Sequence, residues 1–342
     1  MTKATALAMD APLPWLADVW SGLQLARLSG RLAHGLLISG SAGIGKRHLG
    51  ELLARSLLCH DPAANGIACG QCGDCRLLRG ESHPDLMRVG PDPEAKSDEI
   101  PIAAVRALVE RGALTPSRAA WKVALIDPAD RLNAASANAL LKTLEEPPGT
   151  AFICLITEQP GRLPATIRSR CQHVRIATPH PGKALEWLDG KIPGARAALR
   201  LQLAYGAPLR ALIELDDALI RQRRERLAGF IAIAHGEQDP IAEAAIWNGI
   251  GPRRFLEWLA AWLIDLLRLA VTDDPARLDS PDHRDSLGEL AGRIDPAAAH
   301  RLLQRVLRSR LLAETSANPQ LLLESLSIEW RRVNAVHASR RS

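Results

Sequence analysis

The residues best placed to do chemistry lie between Leu36 and His48. Leu36-Leu37-Ile38-Ser39 reads as a short apolar strand, Gly40-Ser41-Ala42-Gly43-Ile44-Gly45-Lys46 as a glycine-rich loop, and Lys46 opens a helix. This is the P-loop spacing, GxxxxGK[ST], in which backbone N–H groups and an ammonium surround a polyphosphate. Gly40, Gly43, Gly45 and Lys46 are the candidate nucleotide-binding residues. The next residue departs from the pattern. Arg47 stands where a serine or threonine hydroxyl would hold Mg²⁺. The other half of such a site belongs after a later strand. Val123-Ala124-Leu125-Ile126 ends in Asp127, which suits the metal, but Pro128 follows where an acid would polarise the attacking water. Pro128 can neither accept a proton nor orient water, and Asp130 is displaced by two residues. Two catalytic positions are missing, so self-contained hydrolysis is not expected. Arg47 is a candidate internal cation of the pocket, and nucleotide binding by this chain stays open.

A second group is Cys59-x9-Cys69-x2-Cys72-x2-Cys75. Four thiolates satisfy a tetrahedral soft ion with no open position, which describes a structural Zn²⁺ site. An iron–sulfur cluster and unligated thiols are the alternatives; four ligands with no companion redox motif favour zinc. Cys154 lies in an apolar strand and reads as core. The third group is Ile167-Arg168-Ser169-Arg170-Cys171. Arg170 is either a salt-bridged surface arginine or a guanidinium offered to a neighbouring molecule, since a planar donor fork suits the charge of a phosphoryl transfer.

The elements that must position these residues follow from pattern. The 342 residues exceed one compact core and suit two or three domains. Ala and Leu dominate, aromatics are 4% of the chain, and helix is the expected majority element. No apolar run reaches the ~20 residues of a membrane span. Met1-Thr2-Lys3-Ala4 lacks an apolar signal core, so a cytoplasmic protein is expected. The net charge of +5 permits nucleic-acid contact without demonstrating it. A helix is expected over Trp20–Leu32, strands over 35–39, 85–89, 121–126, 151–157 and 174–176, and helices over 46–58, 101–112 and 136–145. Cys59–Glu81 reads as loop-rich and Pro91–Glu99 as a polar, mobile stretch. Strands alternating with helices imply a mostly parallel sheet covered on both faces. After Thr178 the strand signal stops at Pro179-His180-Pro181-Gly182, and helices run to Arg340 with breaks near 236–240, 249–252 and 273–281. Phe255, Trp258, Leu259, Trp262, Leu263, Leu266 and Leu267 fall at helical spacing and read as core.

Together these pieces resemble the bacterial DNA polymerase III clamp-loader subunits of the AAA+ class. The resemblance covers most of the chain. It rests above all on Ser136-Ala137-Asn138-Ala139-Leu140-Leu141-Lys142-Thr143-Leu144-Glu145-Glu146-Pro147-Pro148, on Ser169-Arg170-Cys171, on the four-cysteine insertion, and on Asn318–Glu324. It implies an α/β AAA+ P-loop domain with a parallel sheet over 1–177, carrying a zinc-binding insertion at 59–75. A small helical lid over 178–217 and an all-α collar over 218–342 would follow. The losses at Arg47 and Pro128 match the family's non-hydrolysing member. In that alignment Leu209 takes the place of a further arginine, and Arg210, one position on, is its possible substitute. Arg170, supported by Ser169, would act in trans as an arginine finger on a neighbouring ATPase subunit. Implied partners are the motor (tau/gamma) and delta subunits, the sliding clamp, and primer-template DNA through the complex. Lys142 is a candidate backbone contact or a solvated helix face. Two rivals are a motor-type ATPase with an atypical pocket and a zinc-dependent DNA-binding module acting alone.

Overall fold

The computed structural model describes residues 11–92, 94–95, 97–112, 115–193, 195–272, 278–313 and 317–338. Met1–Ala4, the break expected at Asp273, the helix end at Arg340, and Pro93 and Lys96 of the polar stretch lie outside these residues. The chain forms two compact units. One comprises the chain to Ala197 together with Gly206–Glu214; the other comprises Ala198–Tyr205 and the chain from Leu215 onward.

The first unit is built on a five-stranded sheet of β1 (Gly35–Ser39), β2 (Leu86–Val89), β3 (Lys122–Ile126), β4 (Ala151–Thr157) and β5 (Gln172–Arg175), in the order β2-β3-β4-β1-β5. Every neighbouring pair is parallel. All residues of β1, β3 and β4 are buried, as continuous apolar runs in a doubly covered sheet require. Around the sheet lie α1 (Ala17–Leu28), α2 (Lys46–Leu58), α3 (Gly73–Arg79), α4 (Ile102–Gly112), α5 (Ala134–Glu145), α6 (Ala165–Arg168), α7 (Pro181–Leu188) and α9 (Pro208–Ile213); α8 (Ala195–Leu203) lies between α7 and α9 in the chain.

Three elements differ from expectation by more than one residue, each for a local reason. α1 starts and stops early, because a 3-10 turn over Pro14–Leu16 leads into it and Gly30, at φ +66°, ends it. The Arg31 N–H closes that end on Ala26 O at 2.8 Å. α5 begins two residues before Ser136, because the Asn133 side chain accepts from Ser136 N at 2.9 Å and caps it. β5 is an edge strand of largely exposed residues, so it carries little apolar signal.

The second unit is helical: α10 (Asp217–His235), α11 (Pro240–Ile250), α12 (Pro252–Val271), α13 (Arg284–Ala291), α14 (Pro296–Leu312) and α15 (Pro319–Ala338). Asp216, Asp239 and Asp295 cap three of these, and proline follows at the first turn of α11, α12 and α14. Trp258 and Trp262 are core, as their spacing indicated. Trp247, Trp262 and Trp330 are fully buried with Phe230 and Phe255. Phe230 and Trp330 stack with centroids 4.1 Å apart, and Trp330 Nε1 donates to Phe230 O at 2.8 Å. Gly229 is required beside them: a Cβ there would lie 2.3 Å from Oε1 of buried Glu243, which binds Arg226 and Trp247 Nε1.

Replacing Trp330 by alanine removes this stack and its hydrogen bond, and is expected to cost about 3–5 kcal/mol. Calorimetry should show the helical unit's transition displaced downward, with Trp330→Phe losing less because the stack survives.

Candidate functional site

A parallel sheet puts the carboxyl ends of its strands along one edge, and that edge is where ligands of α/β proteins bind. The register of this sheet pairs Ser39 with Thr157, and Ile126 with Leu155. The glycine loop after β1, Asp127 after β3 and Glu158 after β4 therefore converge. They line a cavity of about 290 Å³ together with Lys46, Arg47 and Arg210.

The loop has the shape its glycines permit. Gly40, Gly43 and Gly45 have φ of +152°, +72° and +97°. A Cβ on Gly43 would lie 2.5 Å from Arg210 Cβ, because α9 sits directly on the loop; Leu209 N donates to Gly43 O at 3.0 Å. Lys46 is 6% exposed and donates from Nζ to Ser41 O at 2.6 Å, with Glu158 Oε1 at 3.7 Å. Burial lowers its pKa, opposed by the carboxylates of Glu158, Asp127 and Asp130.

The unusual residue makes the decisive contact. Arg47 Nε donates to Asp127 Oδ2. The guanidinium thus occupies the carboxylate that would ligand magnesium, as an internal cation. Asp130 is engaged at the end of β4. It accepts from Thr157 Oγ1 and, at 3.2 Å, from Glu158 N, so it secures the tip of β4. Leu209 and Arg210 both line the cavity, and Arg210 Nε lies 3.3 Å from Glu214 Oε2.

Arg170 lies at the other edge of the sheet. Its turn immediately precedes β5, whose first residue Gln172 pairs with Leu36 near the start of β1. The length of β1, roughly 13 Å at ~3.3 Å per residue, separates the two edges. The turn is packed closely: a Cβ on Gly35 would lie 3.3 Å from Arg170 O and 3.5 Å from Cys171 Sγ. Burial pushes the Cys171 thiol up to about 11. Arg170 is exposed. Its Nη2 pairs with Glu145 Oε1 at 2.5 Å, and its Nη1 donates to Thr166 O at 2.9 Å. Ser169 Oγ donates to the same carbonyl at 3.1 Å.

The four cysteines meet at the end of α2. Cys59 caps that helix, Gly70 at φ +74° turns the chain, and α3 begins at Gly73 so that Cys72 caps it and Cys75 enters its first turn. This short helix falls within the stretch expected to be loop-rich. The four Sγ atoms lie within 4.8 Å of one another, with Cys59–Cys75, Cys69–Cys75 and Cys59–Cys72 at 3.5, 3.9 and 4.0 Å. A tetrahedron of thiolates ~2.3 Å from a central ion has edges of about 3.8 Å, so the donor set fits a metal and not disulfides. The amides of Cys69, Cys72 and Cys75 donate to the sulfurs of Cys59, Cys69 and Cys72 at 3.3–3.4 Å. Cys154 is fully buried in β4. A polar network anchors the module. Arg118 donates to Asp74 at 2.9 Å and holds that carboxyl below its usual range, and Asp85 accepts from the amides of Ser117, Arg118 and Ala119.

Sequence reasoning located the loop, Asp127, the cysteines and the arginine turn. It missed Glu145 as the partner of Arg170, and Glu158 as the partner of Lys46. Glu158 had a usable signal: it follows the strand beside β1 in a parallel sheet. Glu145 had none, since 25 residues and a strand separate it from Arg170 (170 − 145 = 25).

A parallel sheet of this order, a glycine loop between β1 and α2, and a following helix seated on that loop define a P-loop domain of the AAA+ class. Comparison with known proteins narrows the class. The family described as "DNA polymerase III, delta subunit" matches residues 16–180, and "DNA polymerase III, delta subunit, C terminal" matches 217–332. The DNA polymerase III subunit delta' of Pseudomonas aeruginosa is 38% identical over 331 residues, covering 93% of this chain and 96% of that one. The delta' subunit of Escherichia coli K12 is 33% identical, covering 92% and 93%. The tau subunit of the same organism is 38% identical over 156 residues, 46% of this chain and 23% of that one. The chain belongs to the delta' subunit family of DNA polymerase III.

Gly43→Ala should force α9 off the loop at a cost of about 1–3 kcal/mol. Hydrogen exchange would report faster amide exchange over 208–213, with the sheet unaffected.

Proposed function

We propose that this chain is a non-hydrolysing subunit of the replicative clamp loader and that it supplies Arg170 in trans to the ATP site of a neighbouring motor subunit. The observation that carries this is the placement of Arg170 at the sheet edge opposite its own pocket. It cannot reach a nucleotide bound by its own glycine loop, yet it is exposed. In trans, its planar fork would meet charge developing on a transferred phosphoryl group. Glu145 and Thr166 O hold the guanidinium beforehand, so its entropy of ordering is already met. Ser169 braces the turn.

The idle pocket agrees. With Arg47 on Asp127 and a proline at 128, the positions after β3 that would place magnesium and activate water are occupied or lost. This speaks against the motor-type alternative. The further assignment is an AAA+ domain over 1–177, a lid over 178–217 and a collar over 218–342, the last joining tau/gamma and delta subunits in a ring. That ring would act on the sliding clamp and on primer-template DNA. No helix among the described residues is long and apolar enough to cross a membrane, which accords with a cytoplasmic complex. Cys59, Cys69, Cys72 and Cys75 would hold Zn²⁺ as a closed structural site that fixes α3 and the loop after α2.

Arg170→Ala should assemble normally with the motor and delta subunits yet lower DNA-stimulated ATPase and clamp loading. Loss of a finger costs ~10³–10⁵ at a single site in comparable NTPases, diluted here across several sites. Unchanged rates in the reconstituted complex would sink the assignment. For the cysteines, native mass spectrometry should find bound zinc that Cys72→Ser loses, and chelation should lower the melting temperature. Zinc removal that altered neither stability nor assembly would contradict a structural role.

A further inference from the structure

The pocket is shaped for phosphate and closed to a divalent metal. On the phosphate side the cradle is whole. Three glycines hold the conformations the loop requires, and buried Lys46 points its ammonium at the loop carbonyl of Ser41. The 13-residue helix α2 starts at that lysine with no side chain capping its first turn, and its first residues line the cavity. On the metal side the fit fails. Asp127 is taken by Arg47, no hydroxyl follows Lys46, and Pro128 offers no oxygen from its side chain. Magnesium wants near-ideal octahedral oxygen ligation and keeps its waters reluctantly released; here it would have to displace a guanidinium to gain one carboxylate.

Arg47 is placed to do what the ion does elsewhere. Its Nε is spent on Asp127, whereas its Nη groups make no other hydrogen bond among the described residues, and the side chain is 69% exposed at the cavity. A guanidinium offers planar, bidentate donors that match phosphate oxygens. We propose that this chain binds a polyphosphate chain, nucleotide-borne or inorganic, in metal-free form, with Lys46 and the loop amides cradling it and Arg47 replacing magnesium. Binding exchanges carboxylates for phosphates, since Glu158, Asp127 and Glu214 each neighbour a pocket cation. Its strength is therefore modest.

This rests on reading the chain as a subunit that does not hydrolyse nucleotide, and it is tested on the full chain by titration calorimetry. ATP, ADP and inorganic tripolyphosphate are each titrated in EDTA and in excess MgCl₂. The expected result is binding in EDTA that magnesium does not strengthen, abolished by Lys46→Ala. Tighter binding of ATP than of tripolyphosphate would identify a nucleotide as the source, and equal binding would identify the phosphate chain alone. Arg47→Thr frees Asp127 and restores a hydroxyl, so it should make ATP binding magnesium-dependent by roughly tenfold or more. The inference is overturned if none of the three ligands binds at low-millimolar concentration, or if the unmodified chain requires magnesium. Absence of binding alongside a lowered ATPase rate for Arg170→Ala would defeat this inference alone and leave the proposed function standing.

Discussion

Everything functional in this chain hangs on the polarity of a parallel sheet. Because all five strands run the same way, the sheet has two chemically different edges. The carboxyl edge gathers loop amides, Lys46, Asp127 and Glu158 around a cavity. The amino edge carries the Ser169-Arg170-Cys171 turn. Strand β1 touches both, with its end opening into the glycine loop and its beginning packed under the turn. A rigid, fully buried strand therefore sets the distance between a site the chain owns and a side chain it presents outward.

The glycine loop does two jobs in the packing. It shapes a cavity, and it is the seat for α9, whose Leu209 amide bonds to Gly43 O. Trp15 Nε1 bonds to Ile44 O on the loop, and His48 reaches Ala11 O. These contacts would keep the loop in shape without any ligand. The change at Arg47 is then tolerable to the fold, since its guanidinium finds a carboxylate ready and no buried charge is left unpaired.

Much of this was legible in the sequence because it is local or periodic. The glycine spacing, the apolar runs of β1, β3 and β4, the cysteine spacing and the Trp–Leu stripes each declare themselves within a few residues. The stripe holding Trp258 and Trp262 was read as core, and both are buried. What escaped was either polar or distant. Edge strand β5 exposes Gln172 and His173, so no alternation marks its start. Helix α3 is short and held by N–H···S bonds that propensity does not foresee. Glu145 meets Arg170 only because α5 and α6 pack together across the end of β1, a fact of topology that neither segment carries alone.

Gly35 shows where such topology leads. No ligand or partner need touch it, and it sits at the first position of an ordinary buried strand. Yet a methyl group there would press within 3.1 Å of Leu144 and within 3.3 Å of the carbonyl of Arg170. Relieving that pressure means shifting the turn or the end of α5, the two segments that aim the guanidinium. A lesion at position 35 would thus act at one end of the sheet alone, displacing the exposed guanidinium while the cavity at the far end of the same strand kept its lining.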